Sequence, residues 1–234
     1  MSAILKREFK AYFRTPLGCI FISVMYFFTA YYFFTDNLYA GTANMSSLFS
    51  KLFSVVLFLV PILTMRLLSE EKRTNTEQLL LTAPVSRLDI VLGKYFAAFL
   101  VYLMGISGTL VMTLVLTHYG RPEWPVILGN LIGLILLGLA ILAICLFVSS
   151  LTESQVISAV MGMAVSLFLI LVDSVRYVVS NDSLRTFLSY LSFTDRYNGF
   201  TIGVIDFSNV LFFLSIATLF LCLTVAVLER RRWN

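Results

Sequence analysis

The chain has 234 residues, of which 59% are hydrophobic and 13% are charged, and its formal net charge is +4. A soluble domain carries about 25% charged residues, so this composition excludes a soluble globular protein. The modest positive charge reflects the concentration of Lys and Arg on one side of the membrane, and we expect no nucleic-acid partner.

The first predicted element is a basic amphipathic helix over residues 2–15. Its apolar side chains recur on one face and its basic side chains on another. The apolar face contains Leu5, Phe9, Tyr12 and Phe13, and the basic face contains Lys6, Lys10 and Arg14. This pattern is typical of a helix that lies in the headgroup layer of a membrane. Pro16 would then redirect the chain into the bilayer.

Six long apolar runs follow, each close to the roughly 20 residues that cross a hydrocarbon core of about 30 Å. They cover residues 17–35, 51–68, 94–117, 125–148, 155–178 and 206–228. The two-residue alternation of a membrane barrel is absent from them, so the spans are predicted to be α-helices. The fold class is therefore an all-α integral membrane protein with one transmembrane domain. We divide it into the N-terminal helix (1–16), the first two spans (17–68), a loop segment (69–93), the third to fifth spans (94–178), an outer segment (179–205), and the last span with the basic tail (206–234).

The distribution of lysine and arginine predicts the orientation of these spans. Twelve of the 17 basic residues lie in the N-terminal region, the segment 69–93 with its flanks, and the C-terminal tail. Loops rich in Lys and Arg stay in the cytoplasm. We therefore expect a multi-pass protein of the cytoplasmic (inner) membrane with both termini inside and the segment 179–205 outside.

The segment 69–93 contains two helix-start signals separated by a proline. Thr74 and Glu77 have the spacing of a capping box, which predicts a short helix that ends before Pro84. Ser86 and Asp89 repeat the spacing at the start of the third span. The apolar face of the short helix contains Leu79, Leu80 and Ala83. It would either dock a partner protein or rest on the inner leaflet, and the residues alone leave both interpretations open.

The segment 179–205 has helical periodicity that a plain loop would not need. Its apolar positions are Leu184, Phe187, Leu188 and Leu191, followed by Tyr197, Phe200 and Val204. We predict two short amphipathic pieces broken at Asn198-Gly199, in an interfacial or re-entrant hairpin. An irregular loop is the alternative.

Small residues recur every fourth position inside two spans, a spacing that lets membrane helices approach closely. They are Gly129 and Gly133 in the fourth span, and Ser158, Gly162 and Ser166 in the fifth. The three cysteines, Cys19, Cys145 and Cys222, all lie within spans. We expect no metal site, no cofactor and no catalytic residue on this chain.

Four other classes of membrane protein are compatible with part of the sequence pattern. Gly105-Ile106-Ser107-Gly108 matches the motif of intramembrane serine proteases, but His118 is eleven residues away, about 16 Å along one helix. A secondary transporter would place charges at mid-membrane, and the runs contain none there. An ATPase on this chain is excluded because the phosphate-binding motif is absent. A membrane scaffold without a transport role remains an alternative.

The segment 65–97 resembles the first cytoplasmic loop of permease subunits of type-2 ATP-binding-cassette (ABC) exporters. The matching residues are Glu70, Glu71, Arg73, Thr76, Glu77, Leu79, Leu80, Pro84, Val85, Ser86, Gly93 and Lys94. The segment 191–233, with Gly-Val-Ile-Asp at 203–206 and Leu-Glu-x-Arg-x-Trp at 228–233, is similar to a narrower branch. That branch contains the bacterial gliding-motility permease and the permease of nitrous-oxide-reductase operons.

The resemblance implies a non-catalytic six-span permease with an N-terminal connecting helix. The short helix at 75–83 would be a coupling helix seated in a groove of a separate ATPase. The implied docking residues are Glu70, Glu71, Arg73, Thr76, Glu77, Leu79, Leu80 and Pro84. The segment 179–205 would be an extracellular re-entrant gate. Its implied gate residues are Leu184, Phe187, Leu188, Leu191, Tyr197 and Phe200.

The resemblance also implies the partners of the chain. Two permease chains, identical or paralogous, would assemble with two ATPase chains that bind ATP and Mg²⁺. An auxiliary extracytoplasmic subunit is implied by the gliding-motility branch. The substrate stays open, as does the choice between export and the transmission of force.

Overall fold

The structure is a bundle of helices that run back and forth between two ends. This computed structural model describes residues 2–74, 86–119, 123–178 and 192–230, and every regular element within those ranges is helical. The helices are α1 (Ser2–Arg14), α2 (Pro16–Phe33), α3 (Ser46–Thr64), α4 (Ser69–Arg73), α5 (Arg87–Tyr119), α6 (Trp124–Leu151), α7 (Gln155–Val178), α8 (Phe193–Thr201) and α9 (Phe207–Arg230). A π-helical segment, Phe34–Tyr39, continues α2.

Six helical segments in the described residues are long and apolar enough to cross a membrane. They are Pro16–Tyr39, Ser46–Arg73, Arg87–His118, Trp124–Leu151, Gln155–Val172 and Phe207–Arg230. The prediction of six helical spans is therefore confirmed. The bundle has an α1 end, where α1, α4 and the start of α5 meet, and an α8 end, where α8 meets the starts of α3 and α6.

The predicted start of the second span was wrong. It begins at Ser46 and not at residue 51, because the Lys51 ammonium is neutralised by the Asp36 carboxylate at 2.7 Å. The third helix begins at Arg87, seven residues before its apolar run, where the sequence predicted a helix start. The Ser86 hydroxyl accepts a hydrogen bond from the Asp89 amide at 3.1 Å, which confirms the predicted start signal.

Helix α6 is the centre of the bundle and packs against α3, α5, α7, α8 and α9. Glycines allow this close packing. A Cβ atom on Gly133 would lie 2.8 Å from Phe200, and one on Gly162 of α7 would lie 2.9 Å from Pro61 of α3. The prediction that small residues mark close helix contacts is confirmed at these two positions.

The serine-protease motif is part of the packing between α2 and α5. Gly105 and Gly108 face Phe21 and Tyr26 of α2 so closely that a Cβ would lie within 2.9 Å of their rings. The Ser107 hydroxyl donates to the Met104 carbonyl at 2.7 Å, within its own helix. These glycines therefore serve helix packing.

Helix α1 confirms the predicted N-terminal helix. It packs along α5 and α2, and its Tyr12 side chain is only 2% exposed. Pro16 occupies the first position of α2. An amide hydrogen at this position would have no partner within the helix, so its absence in proline costs no hydrogen bond. That α1 lies in the headgroup layer of a membrane stays a prediction.

The predicted break at Asn198-Gly199 was wrong. Helix α8 runs through both residues, and the chain turns later, at Gly203, whose φ is +81°. The helix persists because Tyr197 and Phe200 are buried along one face, and this packing outweighs the low helix propensity of Asn and Gly. The earlier part of the predicted hairpin, 179–191, lies outside the described residues.

Candidate functional site at the joint between α3 and α4

The candidate site lies where α3 ends and α4 begins, directly before the segment 75–85. We call residues 65–68 together with α4 the joint. The Leu67 amide donates to the Thr64 carbonyl and not to the carbonyl four residues before it, that of Leu63. The Tyr12 hydroxyl of α1 donates to the Leu63 carbonyl at 2.9 Å. Burial raises the pKa of Tyr12 above its ordinary value, so the hydroxyl keeps the proton that it donates.

Ser149, near the end of α6, binds the joint from the other side. Its hydroxyl accepts hydrogen bonds from the amides of Leu68 and Ser69, both at 3.3 Å. It also donates to the Met65 carbonyl at 3.2 Å. A tight turn leaves backbone groups without helical partners, and this one buried hydroxyl satisfies three of them. The joint is therefore fixed to the central helix.

A cluster of four charges completes the joint. The Lys94 ammonium of α5 lies 2.8 Å from a Glu71 carboxylate oxygen and 3.6 Å from a Glu8 oxygen, and it donates to the Leu67 carbonyl at 2.6 Å. The Arg7 guanidinium lies 2.6 Å from Glu8 and 3.1 Å from Glu71. Two cations thus balance two carboxylates across α1, α4 and α5.

The pKa of Arg7 reflects its place at the rim of this cluster. Partial burial lowers the pKa, but the hydrogen bonds and negative charges of Glu8 and Glu71 together raise it above its ordinary value. Arg7 therefore stays charged and screens both carboxylates from the solvent side. A cavity of about 340 Å³ opens beside the cluster.

Further ion pairs surround the joint. Arg66 pairs with Glu70 at 3.0 Å and donates to the Thr15 hydroxyl, and Lys72 pairs with Glu153 at 2.9 Å. These pairs connect α4 with the loop between α1 and α2 and with the loop between α6 and α7. At the same end, Arg87 of α5 pairs with Glu229 of α9 at 3.3 Å.

The predicted docking residues fall into two groups. Glu70 and Glu71 are engaged in ion pairs within the chain, whereas the side chain of Arg73 is exposed. The remaining docking residues lie outside the described residues. They are Thr76, Glu77, Leu79, Leu80 and Pro84. The Thr74 hydroxyl donates to the Glu70 carbonyl at 2.9 Å, and the other half of the predicted capping box lies beyond the described range.

The predicted gate residues are also only partly described. Tyr197 and Phe200 are 1% and 0% exposed and face the interior of the bundle. The Tyr197 hydroxyl donates to the Phe49 carbonyl at 3.2 Å, and the Phe200 ring packs against Gly133. The other four, Leu184, Phe187, Leu188 and Leu191, lie outside the described residues.

The described residues contain no group of acidic, histidine or cysteine side chains that would hold a metal ion. The polar groups described at the joint form hydrogen bonds and ion pairs with one another and with backbone groups, so they hold α4 against α1, α5 and α6. The site therefore concerns the attachment of the segment 75–85 to the bundle.

A family model described as ABC-2 family transporter protein matches residues 2–233. The chain belongs to the ABC-2 transporter family. It is therefore a membrane permease subunit of an ABC transporter, and members of this family in general work with an ATP-binding subunit and are not themselves catalytic. No curated protein matches the chain.

Sequence reasoning missed residues that hold the joint, among them Lys94, Tyr12 and Ser149. Lys94 was taken as the first residue of a span, but it is buried seven residues inside α5. The Gly-Lys pair at 93–94 was a signal of its importance, although not of its partners. Tyr12 was assigned to a lipid-facing surface, and nothing in the sequence around Ser149 indicates that its hydroxyl would bind the joint.

Proposed function

We propose that the chain couples ATP hydrolysis on a separate ATPase to export, or to the transmission of force, across the cytoplasmic membrane. The observation that carries this proposal is the joint between α3 and α4. Side chains of α1, α5 and α6 donate hydrogen bonds to backbone carbonyls of the residues that precede the segment 75–85. A displacement of that segment would therefore be passed to several spans at once.

The ATPase docks, in this proposal, on the segment 75–85 and on Arg73. Glu70 and Glu71 would stabilise the base of the docking segment from within the chain, because their carboxylates are already paired. The apolar side chains of Leu79 and Leu80 would fill a groove of the ATPase. ATP and Mg²⁺ would bind to the ATPase alone.

The same proposal sets the orientation and the assembly. The α1 end faces the cytoplasm, in agreement with the bias of lysine and arginine. Two permease chains, identical or paralogous, pair with two ATPase chains. Similarity to the gliding-motility and nitrous-oxide-reductase-operon branch supports an auxiliary subunit on the outer side.

The outer gate, in this proposal, consists of a fixed base and a moving part. Tyr197 and Phe200 are buried in the bundle, so α8 would be the base. The moving part would be the segment 179–191, with Leu184, Phe187, Leu188 and Leu191 on its apolar face. It would cover the pathway between two permease chains.

The docking proposal is tested by changing Leu79 and Leu80 together to aspartate. Two carboxylates in an apolar groove would cost several kcal/mol of binding. We expect the variant to insert into host membranes normally. The amount of ATPase that co-purifies with it should be at least about tenfold lower than with the wild type. Mass spectrometry of the purified material provides the measurement.

The matched control is the double change Ile202→Asp and Ile205→Asp. Both residues are exposed and non-helical at the α8 end, at 73% and 52%, and this variant should retain the ATPase. Full recovery with the Leu79→Asp, Leu80→Asp variant would place docking elsewhere. A wild-type chain that carries no ATPase from host membranes would favour the scaffold alternative.

A further inference from the structure

Lys94 is a buried cation at the meeting point of three elements. Its side chain is 1% exposed, and it is the only charged residue among the buried residues of the described part. Its ammonium contacts α4 through Glu71, the preceding turn through the Leu67 carbonyl, and α1 through Glu8. A buried charge persists only where partners replace its hydration.

Gly93 allows α1 to reach this cation. A Cβ atom at position 93 would lie 2.9 Å from the Ile4 side chain, so a larger residue would push α1 away from α5. The two neighbouring residues thus act together. Gly93 admits α1 to the surface of α5, and Lys94 binds the carboxylate that α1 brings.

The two cations of the cluster are not equivalent. The side chain of Arg7 is 53% exposed, whereas those of Glu8 and Glu71 are 14% and 15% exposed. Without Lys94, two largely buried carboxylates would share one solvent-facing guanidinium, and their repulsion would separate α1 from α4. Without Glu71, Lys94 would still contact Glu8 and the Leu67 carbonyl.

We propose that Lys94 is a positioning residue that links the joint to α1, so that α1 and the base of the segment 75–85 move as one body. This inference rests on the proposed function only in assigning ATPase docking to that segment. A force applied there would reach α1 through Lys94 as well as α5. The N-terminal helix is then part of the coupling machinery and not a passive anchor.

Hydrogen–deuterium exchange of the full-length chain in lipid nanodiscs tests the link. In Lys94→Met we expect amides of both 2–14 and 66–74 to exchange at least about tenfold faster, with 193–201 unchanged. Glu8→Gln should accelerate mainly 2–14, and Glu71→Gln mainly 66–74. A general loss of stability would instead accelerate exchange everywhere, including 193–201, and would overturn the inference.

Lys51→Met is the matched control. Lys51 is also a paired lysine, with Asp36 at 2.7 Å, but its side chain is 44% exposed and lies at the α8 end. Exchange in 2–14 and 66–74 should be unchanged in this variant. If Lys94→Met does not fold, Glu8→Gln and Glu71→Gln provide the test by themselves. If each of them accelerated exchange in 2–14 and in 66–74 to the same extent, Lys94 would not form two separate links.

The complex with the ATPase separates this inference from the proposed function. In the wild type, bound ATPase should slow exchange in 75–85 and also in 2–14. In Lys94→Met, only 75–85 should be slowed. Equal slowing of 2–14 in both forms would overturn the link through Lys94. Failure of the wild type to bind any ATPase would instead overturn the docking proposal, and the exchange rates of the isolated variants would still decide on Lys94.

Discussion

At each end of the bundle a short helix is attached to the rest of the protein, α1 at one end and α8 at the other, and the two attachments differ. Each uses a buried tyrosine hydroxyl that donates to a carbonyl of α3, Tyr12 to Leu63 and Tyr197 to Phe49. At the α1 end the rest of the attachment is ionic, centred on Lys94. At the α8 end it is aromatic. The rings of Phe53 and Tyr197 lie 4.9 Å apart there, and Phe193 packs against Phe212 and Phe213.

The two kinds of contact differ in how they respond to displacement and to nearby charges. Charges act over several ångströms and respond to other charges brought close to them. Packed rings lose about a quarter to a half of their van der Waals attraction when a gap of roughly 0.5–1 Å opens between them, so they tolerate little displacement. The ionic end therefore agrees with the docking of an ATPase that we propose there, whereas the aromatic end is suited to hold a fixed shape.

The largest effect is expected from Phe200→Ala at the aromatic end. The ring is fully buried beside Gly133 and Phe213, so its removal leaves a cavity and lowers the free energy of unfolding by about 3–5 kcal/mol. Thermal unfolding in detergent, followed by circular dichroism at low and high salt, measures the loss. The loss should not depend on salt. Phe207→Ala, at a side chain that is 73% exposed, is the control and should change little.

A matched pair of tyrosine variants compares the two ends directly. Tyr12→Phe removes the donor that replaces the Leu67 amide at the Leu63 carbonyl, and it should cost about 1–3 kcal/mol. Tyr197→Phe should cost less, about 0.5–1.5 kcal/mol, because the Phe49 carbonyl also faces the Phe53 amide within α3. The same unfolding assay ranks them. The reverse order would show that the turn at 65–68 finds another donor.

The smallest effect is expected from Glu229→Gln at the ionic end. The pair with Arg87 is 3.3 Å long, and the Glu229 side chain is 55% exposed. Exposed ion pairs contribute about 0–1 kcal/mol and weaken as salt is added. The variant should therefore unfold within a few degrees of the wild type at low salt and together with it at high salt. A large loss of thermal stability at both low and high salt would mean that the pair is structurally essential, unlike other exposed ion pairs.

The number of spans could be predicted from the sequence, because the length of each apolar run depends only on the residues of that segment. The start of α3 could not, since Lys51 reads as a loop residue until its partner is known. The start of α5 was predicted by the signal at Ser86 and Asp89, and only the burial of Lys94 was missed. Asp36 and Glu71 are distant in the sequence from those lysines. The same limit applies to Asn198-Gly199, whose local preference for a turn is overridden by buried neighbours on other helices.

The candidate site was predictable only as a segment. The charged run at 70–73 and the Gly-Lys pair drew attention to the region in which the structure places the joint. Which of these charges are paired within the chain depends on the packing of α1 along α5, a contact between residues far apart in the sequence. Glu70 and Glu71 were therefore grouped with Arg73, although the structure pairs the two acids internally.

The length of α5 has a consequence for the surrounding lipid. A helix of 33 residues is about 50 Å long, whereas the hydrocarbon layer of a bilayer is about 30 Å thick. The excess of about 20 Å must appear as tilt, as protrusion, or as both. Lys94 lies seven residues, about 10 Å, from the start of this helix. Bilayer thickness, together with protein packing, therefore sets the depth at which the ionic joint sits.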